Sequence, residues 1–196
     1  MSPNVFESND IGGFAERSGV GVRVSVTKVH MYDLVVLSRD INDTVISAGG
    51  WLCDRVRAGW RVTVLAPPDS DLRPLQILGL RTSSFDGEID FLGKSPPAAI
   101  AVAADVLRAD ERVRDTILQI VKGGSAEVTF WGNVGSLGVD TRFEQVAHRL
   151  SAAARAFKTH AAASGSLPMS SLAVTEEFRS YAMWYPPGGA DLMPVG

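Results

Sequence analysis

The sequence predicts an α/β fold: a three-layer, Rossmann-like and mostly parallel sheet with helices on both faces. Residues 34–37 form a short apolar run without alternation, which is typical of a parallel strand buried on both sides. The apolar residues that follow recur at intervals of three and four and share one helical face: Val45, Gly49, Leu52 and Val56. Gly59 suits the end of that helix, and residues 60–66 form a second apolar run. The pattern indicates a strand–helix–strand unit with a right-handed crossover.

The composition favours one globular domain. The chain has 196 residues and a net charge of −3, which allows a substantial core and gives no basic surface for nucleic acid. The single cysteine, Cys53, excludes an internal disulfide and a cysteine-based zinc site, and its place on the first helix indicates a small buried residue. Residues 1–19 lack periodicity and are expected to form a flexible arm, with residues 20–196 as the single domain.

The hydropathy pattern gives an expectation for the location of the protein. No apolar run approaches the roughly 20 residues of a membrane-spanning helix. The amino terminus lacks the charged start and apolar stretch of a signal peptide. We therefore expect a cytoplasmic protein without a membrane partner.

The remaining elements follow from apolar spacing and from glycine and proline signals. An alternating run predicts an edge strand or hairpin arm at residues 20–26. Further elements are expected as a helix at 72–78 ended by Gly79, a strand at 81–85, a turn at 86–87, helices at 96–107 and 110–121, and a strand at 126–131. A capping box at 141–144 predicts a long helix lined by Phe143, Val146, Leu150, Ala154 and Phe157. The three histidines are expected at the surface: His30, His148 and His160.

Three polar residues follow the first strand, where α/β sheets bind their ligands. Asp40, Asn42 and Asp43 lie between the strand end and the helix start. In one interpretation, Asp43 or Asn42 caps the helix and the other polar residues are solvated. In the other, the two carboxylates and the amide are hard oxygen ligands of a metal or catalytic site. Spacing alone does not decide between them.

A glycine-rich loop at residues 131–138 follows the strand at 126–131 and includes Asn133. Spaced glycines let a backbone approach a phosphate, but the loop lacks the GxGxxG pattern. The first loop lacks it as well, and no acidic residue ends the second strand to bind a ribose. A nicotinamide, flavin or other nucleotide site is therefore not expected.

Residues 40–52 and 57–64 resemble the opening of the PIG-L/LmbE family of zinc-dependent N-deacetylases. That family has His-Pro-Asp-Asp-Glu after its first strand, then Gly-Gly-x-Leu on the helix and Gly-x-x-Val-x-Val on the next strand. The frame and spacing match here, with Gly49 opening the glycine pair. The resemblance covers about residues 33–186 and implies the family's α/β fold.

The residues that carry the family's chemistry differ in this chain. By the resemblance, Asp40 stands at a zinc-binding histidine, Asn42 at the general base, Asp43 at an aspartate that binds zinc, and Thr44 at the glutamate. The family's second signature, His-Pro-Asp-His, corresponds to residues 139–142. No histidine is present there.

These substitutions predict a changed site. Asp140 lies in the second signature, and Arg142 takes the position of a zinc ligand, although a guanidinium has no lone pair to give. The amide of Asn42 cannot accept a proton as a general base does. We therefore expect Asp40 or Asp43 to pair with Arg142 where the zinc would lie. No cofactor is expected, and Asp40 and Asp43 are metal ligands only if a weak cation site exists.

Two classes of function remain open. The first is a non-catalytic binding or scaffolding homologue, a pseudoenzyme, with a protein partner, a second copy of itself or a small molecule as its ligand. Its aromatic segment at 177–186 is one candidate contact, although a place in the core is the favoured alternative for the same aromatic residues. Asn133 and Gly49 are candidate ligand contacts. The second is an enzyme with rebuilt chemistry that acts on a sugar or a small amide metabolite. Its candidate acids, bases and polar contacts are Asp40, Asp43, Asn133 and Asp140.

Overall fold

A computed structural model describes residues 32–85, 89–133, 143–168, 170, 172–181 and 191–195. These residues belong to one compact unit, Met31–Gly196. Their strands are β1 (Asp33–Leu37), β2 (Arg61–Ala66), β3 (Arg81–Ser84), β4 (Ala99–Ala103), β5 (Glu127–Trp131), β6 (Glu144–Arg149), β7 (Thr175–Tyr181) and β8 (Met193–Pro194). Their helices are α1 (Ile41–Ser47), α2 (Gly49–Arg57), α3 (Arg73–Ile77), α4 (Asp90–Lys94), α5 (Ala104–Ala109), α6 (Glu111–Gly123) and α7 (Ala152–Ser164).

The strands form one mixed sheet in the order β3-β2-β1-β4-β5-β7-β6-β8. The first five strands in that order run parallel, and β7, β6 and β8 add antiparallel pairs. Helices α1, α2 and α3 contact α7, while α4 and α5 contact α6. The predicted α/β class with a mostly parallel sheet is confirmed. Among the described residues, no helix has the length and apolar content that crossing a membrane requires.

The first strand–helix–strand unit forms as predicted. Leu34 pairs with Val62 on β2 and with Ala99 on β4, so β1 is buried between two parallel neighbours. Gly59 ends the helical region with a φ of 92°, a conformation that glycine adopts without a Cβ clash. Because β2 and β4 flank β1, the strand order reverses there. The carboxyl ends of β1 and β4 therefore form the switch point at which such sheets bind ligands.

The helical segment of this unit differs from the prediction, because it is broken into α1 and α2 at Ala48. Gly50 lies just after the break and approaches Leu150 closely. A Cβ on Gly50 would lie 2.1 Å from Leu150 Cδ2. The glycine pair therefore lets the start of α2 pack against the segment that follows β6.

The predicted helix at 96–107 is wrong in its first half. Residues Ala99–Ala103 form β4, which is buried along its whole length, and only Ala104–Ala109 is helical. Alanine favours helices, but this preference amounts to less than about 1 kcal/mol per residue and yields to tertiary packing. Between β1 and β5, the apolar segment gains a complete set of ladder hydrogen bonds.

The predicted long helix from residue 143 is also wrong. Glu144–Arg149 form strand β6, and Ser151 then caps α7 by accepting a hydrogen bond from the Ala154 amide. Val146, His148 and Leu150 are buried at intervals of two, a strand period that also fits parts of a helical stripe. Phe157, expected to pack inward, is 43% exposed.

Other predicted elements are confirmed. Helix α3 is followed by Gly79 with a φ of 78°, and β3 follows it. Asp110 caps α6, whose buried stripe comprises Val113, Ile117, Ile120 and Val121. Cys53 is buried on α2. The arm at 1–19, the strand at 20–26, His30, the turn at 86–87 and residues 182–186 of the aromatic segment lie outside the described residues. In the described half of that segment, Phe178 is buried in the core.

Candidate functional site

The loop after β1 is organised by Asp40, which caps α1. Its Oδ1 accepts hydrogen bonds from the amides of Asn42, at 2.8 Å, and Asp43, at 3.3 Å. The expectation that Asp43 or Asn42 caps the helix is wrong, because α1 begins at Ile41 and leaves Asp40 in the extended cap conformation. One carboxylate of the predicted pair thus stabilises the backbone.

Two buried hydroxyls hold the turn beneath this cap. Ser38 Oγ and Thr44 Oγ1 lie 2.5 Å apart, and each lies 2.9 Å from the Asp40 carbonyl oxygen. Each hydroxyl has one proton, so one of them donates to the carbonyl and the other donates to its neighbour. Neither residue is exposed to solvent. Thr44, which the resemblance places at the family's glutamate, therefore stabilises the turn through hydrogen bonds of its hydroxyl with Ser38 and the Asp40 carbonyl.

Asp43 is held by Trp131, a residue that the sequence analysis did not assign to the site. Trp131 Nε1 donates to Asp43 Oδ2 at 2.7 Å, and Ser47 Oγ donates to Asp43 Oδ1 at 2.9 Å. Trp131 ends β5 and is only 2% exposed. A buried indole N–H needs an acceptor, so a tryptophan at the carboxyl end of a buried strand was a usable signal for this contact.

The other candidate residues are distributed around this loop. Asn42 is exposed, and a Cβ on Gly165 would lie 3.3 Å from its Oδ1. Gly49 is buried, and a Cβ there would lie 3.1 Å from Leu78 Cδ1, so its position packs against the end of α3. The Asn133 carbonyl accepts from Arg108 Nη1 at 2.6 Å. Asp140 and Arg142 lie outside the described residues, so their predicted roles stay predictions.

A small cavity of about 200 Å³ lies beyond the carboxyl ends of β1, β2 and β3. Its walls come from five residues: Arg39, Pro67, Phe85, Val106 and Asp110. Arg39 is exposed and forms no hydrogen bond or ion pair within the described part of the chain. The cavity therefore combines an available guanidinium, three apolar side chains and Asp110, whose carboxylate accepts the Arg112 and Val113 amides at the start of α6.

A second polar cluster lies at the break between α1 and α2. Lys158 Nζ donates to Glu176 Oε1 and to the Ile46 carbonyl, and both charged side chains are 1% exposed. The Glu176 oxygens also accept the amides of Gly50, at 2.9 Å, and Trp51, at 2.7 Å. The pair thus binds the last turn of α1 and the first turn of α2.

Arg55 forms a neighbouring buried group on α2. Its guanidinium lies over the rings of Trp51 and Trp60, at 5.1 and 4.2 Å from their centroids. It pairs with Glu127 at 3.0 Å and with Asp191. Burial raises the pKa of Glu127 above its usual range, although the Arg55 charge opposes the rise. These contacts use aromatic faces and carboxylates together to hold one buried cation.

His148 belongs to this buried region, so the prediction that it is a surface residue is wrong. It is 8% exposed, with Nε2 2.9 Å from Asp54 Oδ2 and Nδ1 2.7 Å from the Asp191 carbonyl. Strand β6 turns it inward, whereas the predicted helix left it outside the apolar stripe. Ser151 also donates to Asp54, from its amide at 3.0 Å and its hydroxyl at 2.6 Å. His160 is exposed, as predicted.

No family model and no curated protein matches the sequence, whereas several solved structures match the fold. A triple-mutant deacetylase of the teicoplanin biosynthetic pathway is 14% identical, with a TM-score of 0.52 over 76% of this chain and 98% of that chain. The A40926 pseudoaglycone deacetylase gives the same identity and TM-score, over 76% and 96%. A deacetylase–teicoplanin complex gives 13% and 0.51, over 76% and 97%.

The chain has the LmbE-like deacetylase fold. The resemblance noted in the sequence is therefore confirmed for the architecture. At this level of identity, the likeness establishes the fold, and the chemistry must be judged from the residues in place.

The residues at the loop do not fit the zinc of the deacetylase fold. A catalytic zinc takes about three protein ligands, usually including histidine, and leaves a position for water. Here Asp40 accepts two backbone amides, and both Asp43 oxygens accept donors from Trp131 and Ser47. In the described part of the chain, no three histidines, cysteines, aspartates or glutamates are grouped to hold a metal ion.

Proposed function

We propose that this chain is a non-catalytic binding protein built on the deacetylase fold, without a metal requirement. One observation carries the proposal: the Asp43 carboxylate is bound by the Trp131 indole and the Ser47 hydroxyl. The indole directs the positive end of its N–H dipole at Asp43 Oδ2, where a zinc ligand would face the cation. A neutral donor thus supplies the compensation that a metal supplies in a catalytic site.

The other two positions support the same proposal. One carboxylate oxygen of Asp40 accepts the hydrogen bonds that cap α1. Asn42 carries an amide, which does not act as a general base near neutral pH. A hydrolase of this fold needs an activated water and a group to take its proton, and an amide in place of the general base does not take one.

The ligand of the binding protein is expected at the switch point, in the cavity beside Arg39. Its volume, about 200 Å³, lies below the roughly 300 Å³ at which drug-sized pockets begin, so the fitting ligand is a fragment-sized molecule. A guanidinium recognises a carboxylate through two parallel hydrogen bonds. Phe85, Pro67 and Val106 offer apolar contacts to the remainder of such a ligand. We therefore propose a small organic carboxylate as its class.

Two measurements test the absence of metal chemistry. Protein purified without chelator is analysed for zinc by mass spectrometry, and hydrolysis of an N-acetylated amino sugar is followed with added zinc. We expect far less than one zinc per chain and no turnover. One tightly bound zinc per chain that is lost in Asp43→Ala would overturn the proposal. Asp43→Asn serves as the matched control because its amide oxygen can still accept the Trp131 hydrogen bond while the negative charge is lost.

The ligand class is tested separately, by titrating the protein with benzoate and with inorganic phosphate and recording chemical shifts. Benzoate is expected to shift resonances of Phe85 and Val106, and Arg39→Ala to abolish the shifts. Arg81→Ala, an exposed arginine on β3, is the matched control. Saturable benzoate binding that survives Arg39→Ala would contradict the site, and no binding at all would contradict the ligand class.

A second function, catalysis by rebuilt chemistry, is favoured by Asp105. Its Oδ1 is buried and has no hydrogen-bond partner among the residues that the structure describes, and it lies in the first turn of α5, directly after β4. A buried carboxylate oxygen without a donor is costly and is typical of functional sites. If the chain acts on a sugar or small amide, Asp105→Asn should abolish turnover while leaving the unfolding midpoint nearly unchanged.

A further inference from the structure

Residues 191–195 are attached to the domain by Asp191, by the buried side chain of Leu192 and by the pairing of β8 with β6. Its carboxylate accepts hydrogen bonds from Trp51 Nε1 and from Arg55 Nη2, each at 2.9 Å. Its carbonyl lies 2.7 Å from His148 Nδ1. Downstream, β8 pairs with β6, and the Val195 amide donates to the Gln145 carbonyl at 3.0 Å. Asp191 therefore anchors the edge strand of the sheet to α2 and β6.

His148 lies between two groups that can only accept hydrogen bonds. The Asp191 carbonyl has no proton to donate. Burial raises the pKa of the Asp54 carboxyl, but donation by Ser151 and His148 outweighs burial and holds that pKa below its usual range. Asp54 is therefore ionised near neutral pH. Both contacts are hydrogen bonds only if each ring nitrogen carries a proton, which makes the ring an imidazolium.

We propose that His148 is a protonation-controlled latch that holds residues 191–195 against α2 and β6. The imidazolium donates to Asp54 and to the Asp191 carbonyl at the same time. A neutral ring has one N–H and one lone pair, so it keeps only one of the two contacts. The carboxylate is the stronger acceptor, so the neutral ring keeps Asp54 and turns a lone pair toward the Asp191 carbonyl. The ring then no longer holds the Asp191 carbonyl, and the segment is held less firmly, by the Asp191 carboxylate and the strand pairing.

The charged side chains of this buried region are Asp54 and Arg55 on α2, Glu127 on β5, Glu176 opposite His148 on β7, Lys158 on α7, and Asp191. Arg55 is paired with Glu127 and Asp191, and Lys158 is paired with Glu176. Asp54 has neither of these cations as its partner, so the imidazolium supplies its compensating charge.

The direction of the pH effect follows. The latch is engaged while both ring nitrogens carry protons and weakens once a rise in pH removes one of them. Release of β8 leaves the outer edge of β6 with unpaired backbone groups around Val146 and Ala147. Such an edge is a template for pairing with another strand. The latch thus gives the domain an edge whose availability depends on pH.

Two measurements on the 196-residue chain test the latch. Nitrogen-15 spectra of the histidine rings between about pH 5.5 and 8.5 report the protonation of each ring. We expect both His148 nitrogens to carry protons at the acid end. Hydrogen exchange of the Val195 amide, normalised to the Val102 amide in β4, should accelerate about tenfold as the His148 ring loses its proton.

Variants separate the latch from a merely structural histidine. His148→Gln provides one donor and one acceptor, so it should show fast Val195 exchange at every pH, with the pH dependence abolished. His160→Gln, which alters an exposed histidine, should leave exchange as in the parent protein. If His148→Gln fails to fold, the ring spectra of the parent protein still decide. A neutral single tautomer at pH 6 with Val195 protected would overturn the proposal.

Discussion

The loop after β1 and the buried cluster around α2 compensate their carboxylates in different ways. At the loop, Asp40 and Asp43 face neutral donors: backbone amides, a hydroxyl and an indole. Around α2, Glu176 faces the ammonium of Lys158, and Asp191 faces the guanidinium of Arg55. Charged partners therefore neutralise the carboxylates around α2. Neutral N–H and O–H donors bind the carboxylates of the loop after β1, where the family resemblance places the catalytic residues.

The difference separates what the two regions require. A buried ion pair costs desolvation of both charges and depends on both partners being present. A partly exposed carboxylate held by N–H and O–H donors tolerates loss of one contact at a smaller cost. Disruption should therefore cost most at the fully buried Lys158–Glu176 pair, less at the loop after β1, and least at the partly exposed Asp54 on α2. Four variants test that ranking.

The largest effect is expected from breaking the Lys158–Glu176 pair. Lys158→Met leaves a buried carboxylate without its cation and should lower the free energy of unfolding by about 3–5 kcal/mol, measured in urea. The double variant Lys158→Met with Glu176→Leu removes both charges and should recover part of the loss. If the single variant cost no more than an exposed control, Lys122→Met, the contrast between the regions would not hold.

The next effect is expected from Gly50→Ala. Its Cβ would lie 2.1 Å from Leu150 Cδ2, so the start of α2 must move or Leu150 must leave its rotamer. Overpacking of this kind costs about 1–3 kcal/mol, read from the urea midpoint at constant slope. Gly93→Ala is the matched control, because the nearest atom to its Cβ, Thr116 Cγ2, is 4.0 Å away. Equal stability of the two variants would contradict the close approach.

At the loop, Trp131→Phe should have a smaller effect. It keeps the buried ring and removes the N–H that binds Asp43 Oδ2, so we expect a loss of about 1.5 kcal/mol. A double-mutant cycle with Asp43→Asn isolates the contact from the loss of ring volume. Coupling near zero would mean that the indole does not compensate Asp43, and the case against a metal there would weaken.

The smallest effect is expected from Asp54, as a dependence on pH. Its folded-state pKa is below its usual range, so its contribution to stability is present above an unfolded-state value of about 3.9. That contribution is lost as pH falls through the lower, folded-state pKa. The difference in unfolding free energy between the parent and Asp54→Asn should be present just above pH ~3.9 and shrink as the solution becomes more acidic. A difference that grew in acid would reverse the assigned sign.

The amino-acid sequence by itself determined the elements whose local signals and burial agree. The apolar run of β1, the glycines that follow α2 and α3, and the stripe and Asp110 cap of α6 are encoded within about 15 residues each. The same local frame, including the glycine pair, also indicated the deacetylase fold. These features depend on backbone preferences and periodicity, which do not require knowledge of distant neighbours.

Tertiary structure decided the rest, because the deciding partners are far apart in the chain. The alanine-rich β4 is a strand because β1 and β5 flank it, and His148 is buried because β6 turns it toward Asp54 and Asp191. Trp131 and Asp43 are 88 residues apart. A hydrogen bond over that separation leaves no periodic pattern in the sequence. Only the fold could therefore show that the Trp131 indole is the donor to the Asp43 carboxylate.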